Sequence, residues 1–206
     1  MDTDSRQLVR KFCELCNWAH ECWVTHKTLF DDNPNKELVN RNAPYFHEHL
    51  WHISLEYSYL QICKLHDSAC FGRNNSYNLS ISYIIEKLEW GEEKKRADEL
   101  SQKLAYLYGR INPARNKVIA HNDLDILLKD EPVGAFTEGK DVEYFQYLQE
   151  LVSLVYEKWV GGPFIFEDMN LGKANAREYL GCLEKGEEAR ARQLLEDLKR
   201  LESGSA

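Results

Sequence analysis

The feature that most constrains this chain is the recurrence of apolar side chains every three to four residues over nearly its whole length. Leu8, Phe12, Leu15, Ala19, Cys22 and His26 step in this way and predict a first helix with one buried stripe. The cluster Asp31-Asp32-Asn33-Pro34 marks its end. A second helix is expected from near Asn42, with Pro44 in its first turn, where a missing N–H costs little. It runs to about Asp67 through Phe46, Leu50, Ile53, Tyr57 and Leu60. Trp51, Leu55, Tyr59 and Ile62 load its other faces, which predicts a central helix enclosed by neighbours.

The same period continues. Cys70 to Asn78 reads as a loop, and Leu79 to Trp90 as a short helix closed by Gly91 in the left-handed C-terminal position. Ala97, Leu100, Leu104, Leu107 and Ile111 form one stripe between Glu92 and Arg110. Asn112-Pro113 then reads as the cap and first residue of a new or kinked helix carrying Arg115 through His121. Lys129 to Lys140 is a loop. Asp141 is expected to cap a helix with Phe145, Leu148, Val152, Val155 and Trp159 on one face, ended by Gly161-Gly162-Pro163. Ala174 to Leu201 reads as a charged helical pair broken near Gly186, with Leu194, Leu198 and Leu201 as a thin seam. Strand-like alternation persists only over Pro163 to Phe166. The expectation is an all-α, antiparallel helical bundle with a C-terminal helical extension. Its domain would span 1–160, the extension 161–202 and a disordered tail 203–206.

Composition narrows the function. No apolar run approaches the ~18 residues that span a bilayer, and the polar start Met-Asp-Thr-Asp-Ser-Arg lacks a signal peptide's apolar stretch. A cytoplasmic protein with no membrane partner is expected. The six cysteines are then expected to be reduced. A net charge of −8 argues against coating nucleic acid by charge alone, while leaving room for one phosphate in a local basic pocket.

One pair of residues looks built for chemistry: Arg115 and His121, in Arg-Asn-Lys-Val-Ile-Ala-His. Arginine presents a permanent charge and a planar fork of donors suited to phosphate oxygens. Histidine titrates near neutrality and can move a proton during phosphodiester cleavage. Together they could cleave RNA without a metal, using the ribose 2′-hydroxyl as nucleophile. Six residues on an ideal helix, however, set the two side chains ~120° apart around the axis and ~9 Å along it. Lys117 and His121 are helical neighbours; Arg115 and His121 are not. A shared site needs arginine's reach, a distorted turn or a second copy across a dimer axis. From residue types alone, surface ion pairs for Arg115 and a packing role for His121 remain open.

The run from Arg115 to Asp123, late in a helical bundle, resembles the signature of the HEPN superfamily: an arginine, a polar residue after it, and a histidine four to six residues beyond. The form Arg-Asn-Lys, Ala-His, Asp resembles the AbiU-like branch, associated with abortive infection. His47-Glu48-His49-Leu50-Trp51-His52 through Lys64-Leu65-His66-Asp67, with Phe71-Gly72-Arg73 and Leu79-Ser80 after it, is similar to that branch's central helix and following loop. The resemblance covers roughly Cys13 to Trp159. It implies a helical homodimer whose motifs face each other across a cleft, and metal-independent RNA cleavage in a defence or toxin–antitoxin system. Carried onto this chain, His121 is the proton-transfer residue, Arg115 the phosphate clamp and Asn116 the orienting polar residue. Asp67 would position one of them, with Lys117 and Asp123 as supporting residues. Some toxins of this superfamily are neutralised at a tyrosine two residues after the histidine; here that position is Asp123. Several branches lack catalysis, so the alternative is a module binding nucleic acid or a partner protein. An antitoxin or other defence protein is an expected partner, and no cofactor is expected.

Two clusters invite a metal reading. His49 and His52, or Glu48 and His52, could share a helical face with His47 nearby, but no completing ligand is evident for a four-ligand zinc site. Cys13, Cys16, His20, Cys22 and His26 interrupt the apolar stripe of a helix, so core packing is the better reading. No metal is expected at either. Trp18, Trp23, Trp51, Trp90 and Trp159 are read as buried packing residues more than as base-stacking platforms.

Overall fold

The computed structural model describes residues 3–71, 76–114, 135–166 and 175–203. Among these, the fold is all-α, as the apolar period predicts. α1 (Thr3–His26) opens with Asp4 in its first turn, favourable against the helix dipole, and closes with the buried His26 in its last. It buries Val9, Phe12, Cys13, Cys16, Ala19 and Trp23. This stripe is rotated from the expected one, because α1 is gripped from two sides by α3 and α6 (defined below). Leu15 consequently faces solvent. α1 runs into a wider turn, Lys27–Asp31, in which the Asp32 N–H donates to the Lys27 carbonyl (2.8 Å).

A short helix absent from the sequence expectation follows, α2 (Lys36–Arg41). The Asn35 side chain caps it by accepting the Leu38 N–H (3.2 Å). α3 (Pro44–Leu65) starts with Pro44 in its first turn, after Ala43 at φ 59°. The expectation that α3 is enclosed by neighbours is corrected: only its second half is. Ser58, Tyr59, Gln61, Ile62, Cys63 and Leu65 are buried, whereas Phe46, Ile53 and Tyr57 are 58%, 63% and 43% exposed.

The expected loop at 70–78 contains a minimal antiparallel ladder, β1 (Cys70–Phe71) against β2 (Ser76–Tyr77), pairing Cys70 with Tyr77 and Phe71 with Ser76. α4 (Ile81–Lys87) is capped by Ser80, whose Oγ accepts the Tyr83 N–H. It is shorter than expected because Leu88 turns extended and the buried Trp90 folds back to donate to the Ile84 carbonyl (3.0 Å). Gly91 takes the left-handed conformation as expected (φ 63°), but four residues past the end of α4, opening the turn Gly91–Glu93. α5 (Lys94–Tyr108) buries the expected stripe of Ala97, Leu100, Leu104 and Leu107, with Ile111 beyond it. A helical turn restarts at Asn112–Ala114.

α6 (Lys140–Trp159) is the best-covered helix, with Tyr144, Phe145, Leu148, Leu151, Val152, Val155 and Trp159 buried between α1 and α5. Gly139, not Asp141, precedes it as the cap residue. Asp141 lies inside the first turn, where its buried carboxylate accepts the Trp23 indole N–H (3.1 Å). Gly161 and Gly162 both take left-handed φ values and end the helix. The segment 163–166 is not a strand. It lies back on α6, where the Gln149 side chain accepts the Phe166 N–H (2.9 Å).

α7 (Ala176–Ser203) corrects the expected break: it is one continuous helix with Gly186 inside it. Its first turns dock on the bundle through Tyr179 against His47 and Glu187 against Arg41 and Asn42. From Ala191 onward every described residue is exposed, so the leucine seam faces solvent. Among the described residues no helix is long and apolar enough to cross a membrane.

Candidate functional site

Of the predicted site residues, Arg115, Asn116, Lys117, His121 and Asp123 lie outside the described residues. Asp67 is described, half-buried, just past the C-terminus of α3, with its N–H donating to the Lys64 carbonyl (3.3 Å). The described structure does define the residues that flank the motif segment on either side.

The flank before it is built from two helix ends. His66, at the end of α3, lies flat against Tyr108, the last residue of α5, with ring centroids 4.2 Å apart and planes 1° from parallel. The Tyr108 hydroxyl donates to Asn112 Oδ1 (2.9 Å), three positions before Arg115 in the sequence. On its other side His66 Nε2 shares a hydrogen bond with the Tyr144 hydroxyl of α6 (3.0 Å). Three helices therefore meet at one imidazole immediately beside Asp67.

The flank after it uses the same cluster. Phe136, near the start of the next described stretch, packs against Tyr144 (5.6 Å between centroids), Trp23 (5.6 Å) and Tyr59 (6.4 Å). Both described flanks thus reach Tyr144, Phe136 directly and Asn112 through Tyr108 and His66.

The electrostatics of this cluster are those of a brace. Burial pushes the His66 pKa down to about 3, so the ring is neutral at physiological pH. Burial likewise drives the Tyr144 hydroxyl well above its ordinary range and keeps it protonated. A histidine held neutral so far below pH 7 is poorly matched to proton transfer, which favours a pKa near the working pH. Sequence reasoning missed His66, Tyr108, Asn112 and Tyr144 as a group. The i,i+4 spacing of Tyr108 and Asn112 was a visible local signal, but the pairing of positions 66, 108 and 144 is long-range and leaves no periodic trace.

The residues of the two candidate metal clusters divide between buried packing positions and exposed ones. His47 is buried, its ring nitrogens occupied by the Tyr179 hydroxyl (2.9 Å) and the Ala43 carbonyl (3.2 Å), while His49 and His52 are exposed. Cys13 and Cys16 sit in the core, and burial raises the Cys13 thiol to about 12. His26 is buried against Ser54 Oγ (2.8 Å), and His20 stacks on Phe166. Among the described residues no three His, Cys, Asp or Glu side chains converge as a metal site. Of the tryptophans, Trp23, Trp90 and Trp159 are buried as expected; Trp18 and Trp51 are not.

A cavity of about 670 Å³ lies between α1, α6 and the start of α7, lined by Trp23, Lys27, Asp141, Phe145, Phe166 and Arg177 among others. Lys27 there is shared among Asp31, Asp32 and Asp141 at 3.3–3.9 Å, so it is not an uncommitted cation for a phosphate.

No curated protein and no solved structure matches this chain. The family model for the AbiU2 group of HEPN domains matches residues 3–180. That span is longer than the resemblance read from Cys13 to Trp159: it takes in all of α1 and reaches the first residues of α7. It also includes both the central helix α3 and the Arg115 to His121 motif. The chain belongs to the HEPN AbiU2 family, an abortive-infection-related group of helical modules.

Proposed function

We propose that this protein is a metal-independent endoribonuclease of a prokaryotic phage-defence or toxin–antitoxin system, acting in the cytoplasm as a homodimer with the motifs of two copies at one cleft. The observation that carries this reading is a family match running from residue 3 to residue 180 and enclosing the Arg-Asn-Lys-Val-Ile-Ala-His motif at 115–121. In this reading the ribose 2′-oxygen attacks the adjacent phosphorus and the 5′-oxygen leaves, giving a 2′,3′-cyclic phosphate and a 5′-hydroxyl. His121 moves the proton, Arg115 holds the non-bridging phosphate oxygens and Asn116 orients the site. Lys117 and Asp123 support it, and Asp67, beside the His66 brace, positions Arg115 or His121. The position of Asp123 speaks against control by tyrosine modification at that residue; a protein antitoxin would act by binding.

The test compares RNA cleavage by the wild type and His121→Ala in the presence of a chelator. Loss of a general acid–base residue lowers the rate by roughly 100-fold or more. Equal cleavage by both proteins overturns the reading. The net charge of −8 favours a second reading, a non-catalytic module that binds a partner protein. It predicts no cleavage by either protein and a complex with a product of the same locus.

A further inference from the structure

A groove of about 360 Å³ opens to solvent between α5 and α6, lined by Gln102, Lys103, Tyr106, Leu107, Glu143 and Tyr147 among others. One face of α5 supplies most of it. Glu99, Lys103, Tyr106 and Arg110 recur at spacings of four, three and four, with Arg110 two residues past the helix end. Each cation on this face stands over an aromatic ring. Lys103 Nζ lies 4.5 Å from the centroid of Tyr147, on α6. The Arg110 guanidinium lies 5.6 Å from the centroid of Tyr106 and donates to its hydroxyl (3.2 Å). Tyr106 is 66% exposed, so burial is not what holds this ring at the groove.

The carboxylates of the groove are already neutralised. Glu143 is bonded to Lys140 and accepts the Tyr147 hydroxyl (3.3 Å), and Glu99 faces Arg96 (3.6 Å). These pairs use Lys140 and Arg96, and neither Lys103 nor Arg110 is ion-paired among the described residues. Two uncommitted cations therefore stand about two helical turns apart, roughly 10 Å, beside two tyrosine rings. Cations for successive phosphates interleaved with π-faces for bases make a single-strand track. A duplex keeps its bases paired and stacked, out of a tyrosine's reach. It also asks for a broader cationic surface than a chain of net charge −8 presents. The groove ends beside the candidate site: Arg110 follows Tyr108, whose ring stacks on His66 next to Asp67, and it precedes Arg115 by five positions in the sequence.

We infer that the α5–α6 groove binds single-stranded RNA, with Lys103 and Arg110 on the phosphates and Tyr106 and Tyr147 against the bases. That the strand is RNA rests on the ribonuclease reading; the groove itself specifies a single strand carrying phosphates and bases.

Fluorescence anisotropy with a labelled single-stranded RNA of about 12 nucleotides tests it, on the full chain as wild type and as His121→Ala, which spares the probe from cleavage. Binding should weaken as salt rises. Lys103→Ala and Arg110→Ala should each reduce the slope of log K against log salt by ~0.7, the share of one phosphate contact on a single strand. Tyr106→Ala should weaken binding roughly tenfold at an unchanged slope, while Tyr106→Phe should stay within about twofold of its parent. Lys199→Ala makes the same charge change on the exposed end of α7 and should alter neither quantity. All these side chains are exposed, so the helical circular dichroism of each variant should match its parent. No binding up to ~100 μM protein at about 50 mM salt, the weak end of non-specific association, overturns the inference. So does an equal loss in Lys199→Ala and Lys103→Ala, or equally tight binding of the same RNA annealed to its complement. RNA cleavage that needs His121 but is indifferent to Lys103, Tyr106 and Arg110 sinks this inference alone. A strand that binds through the groove and is never cut sinks the ribonuclease reading alone.

Discussion

α3 and α6 carry equally regular apolar stripes, yet they have opposite fates. In α6 the line Phe145, Leu148, Val152, Val155 and Trp159 is buried from end to end between α1 and α5. In α3 the line Phe46, Leu50, Ile53 and Tyr57 runs along the outside, and the helix meets the core only through its second half, around Tyr59, Ile62 and Leu65. Periodicity reports that a face seeks an apolar neighbour. It does not report whether that neighbour belongs to the same chain.

The largest expected effect separates these two stripes directly. Leu148→Ala removes a fully buried side chain and should cost about 2–5 kcal/mol in urea unfolding, with the lower end applying if the site collapses. Ile53→Ala, measured at sub-micromolar protein to keep association out of the reading, should stay within about 0.5 kcal/mol of wild type. A similar cost for both would mean that α3 packs its outer stripe inside one chain, and the contrast between the helices would fall.

A smaller effect tests the point at which α3 and α6 are tied, His66 against Tyr144. The folded pKa of about 3 lies below the ordinary 6.5, so the unfolded chain takes up a proton that the native ring refuses. The stabilising contribution is therefore complete above about pH 6.5 and lost as pH falls from there toward 3. The slope is at most about 1.4 kcal/mol per pH unit, and screening of the half-buried ring narrows the pH span over which it acts. His66→Phe, which keeps the stack on Tyr108, should flatten this acid limb in urea titrations between pH 7 and 5. Among the described residues His26, whose pKa burial also lowers, contributes to the residual slope. An unchanged acid limb in the variant would show that His66 is hydrated and that the junction is looser than its geometry.

What could be read in advance divides along the same line as the two helices. The stripes of α5 and α6 were legible because both are satisfied within the chain, and each predicted residue there is buried. α1 was legible as a helix but not in its rotation, since Phe12 and Ala19 belong equally to the expected stripe and the observed one. α2 was hidden because six residues are too few to show a period. At the candidate site, Arg115, Asn116 and His121, which lie outside the described residues, were singled out by residue type and by resemblance. The His66, Tyr108 and Tyr144 junction beside Asp67 was not, because it joins three separate helices through side chains that each look ordinary in their own segment.

Gly186 offers the smallest and sharpest test, because it concerns a third apolar stripe. α7 carries Leu194, Leu198 and Leu201 into solvent as α3 carries Ile53, and a break at Gly186 would make that overhang a separate element. The helix is continuous there, and a Cβ added at Gly186 meets nothing within 4 Å. Gly186→Ala should therefore stabilise the helix by about 0.5–1 kcal/mol, through lower backbone entropy in the unfolded chain and better helix propensity. Helical ellipticity at 222 nm should rise slightly, and protection of the amides around Glu184 to Glu188 from hydrogen exchange should increase. Destabilisation by alanine would mean that the backbone turns at Gly186 in solution. The leucine overhang would then be a hinged arm, unlike the outer face of α3, which the buried second half of its own helix holds in place.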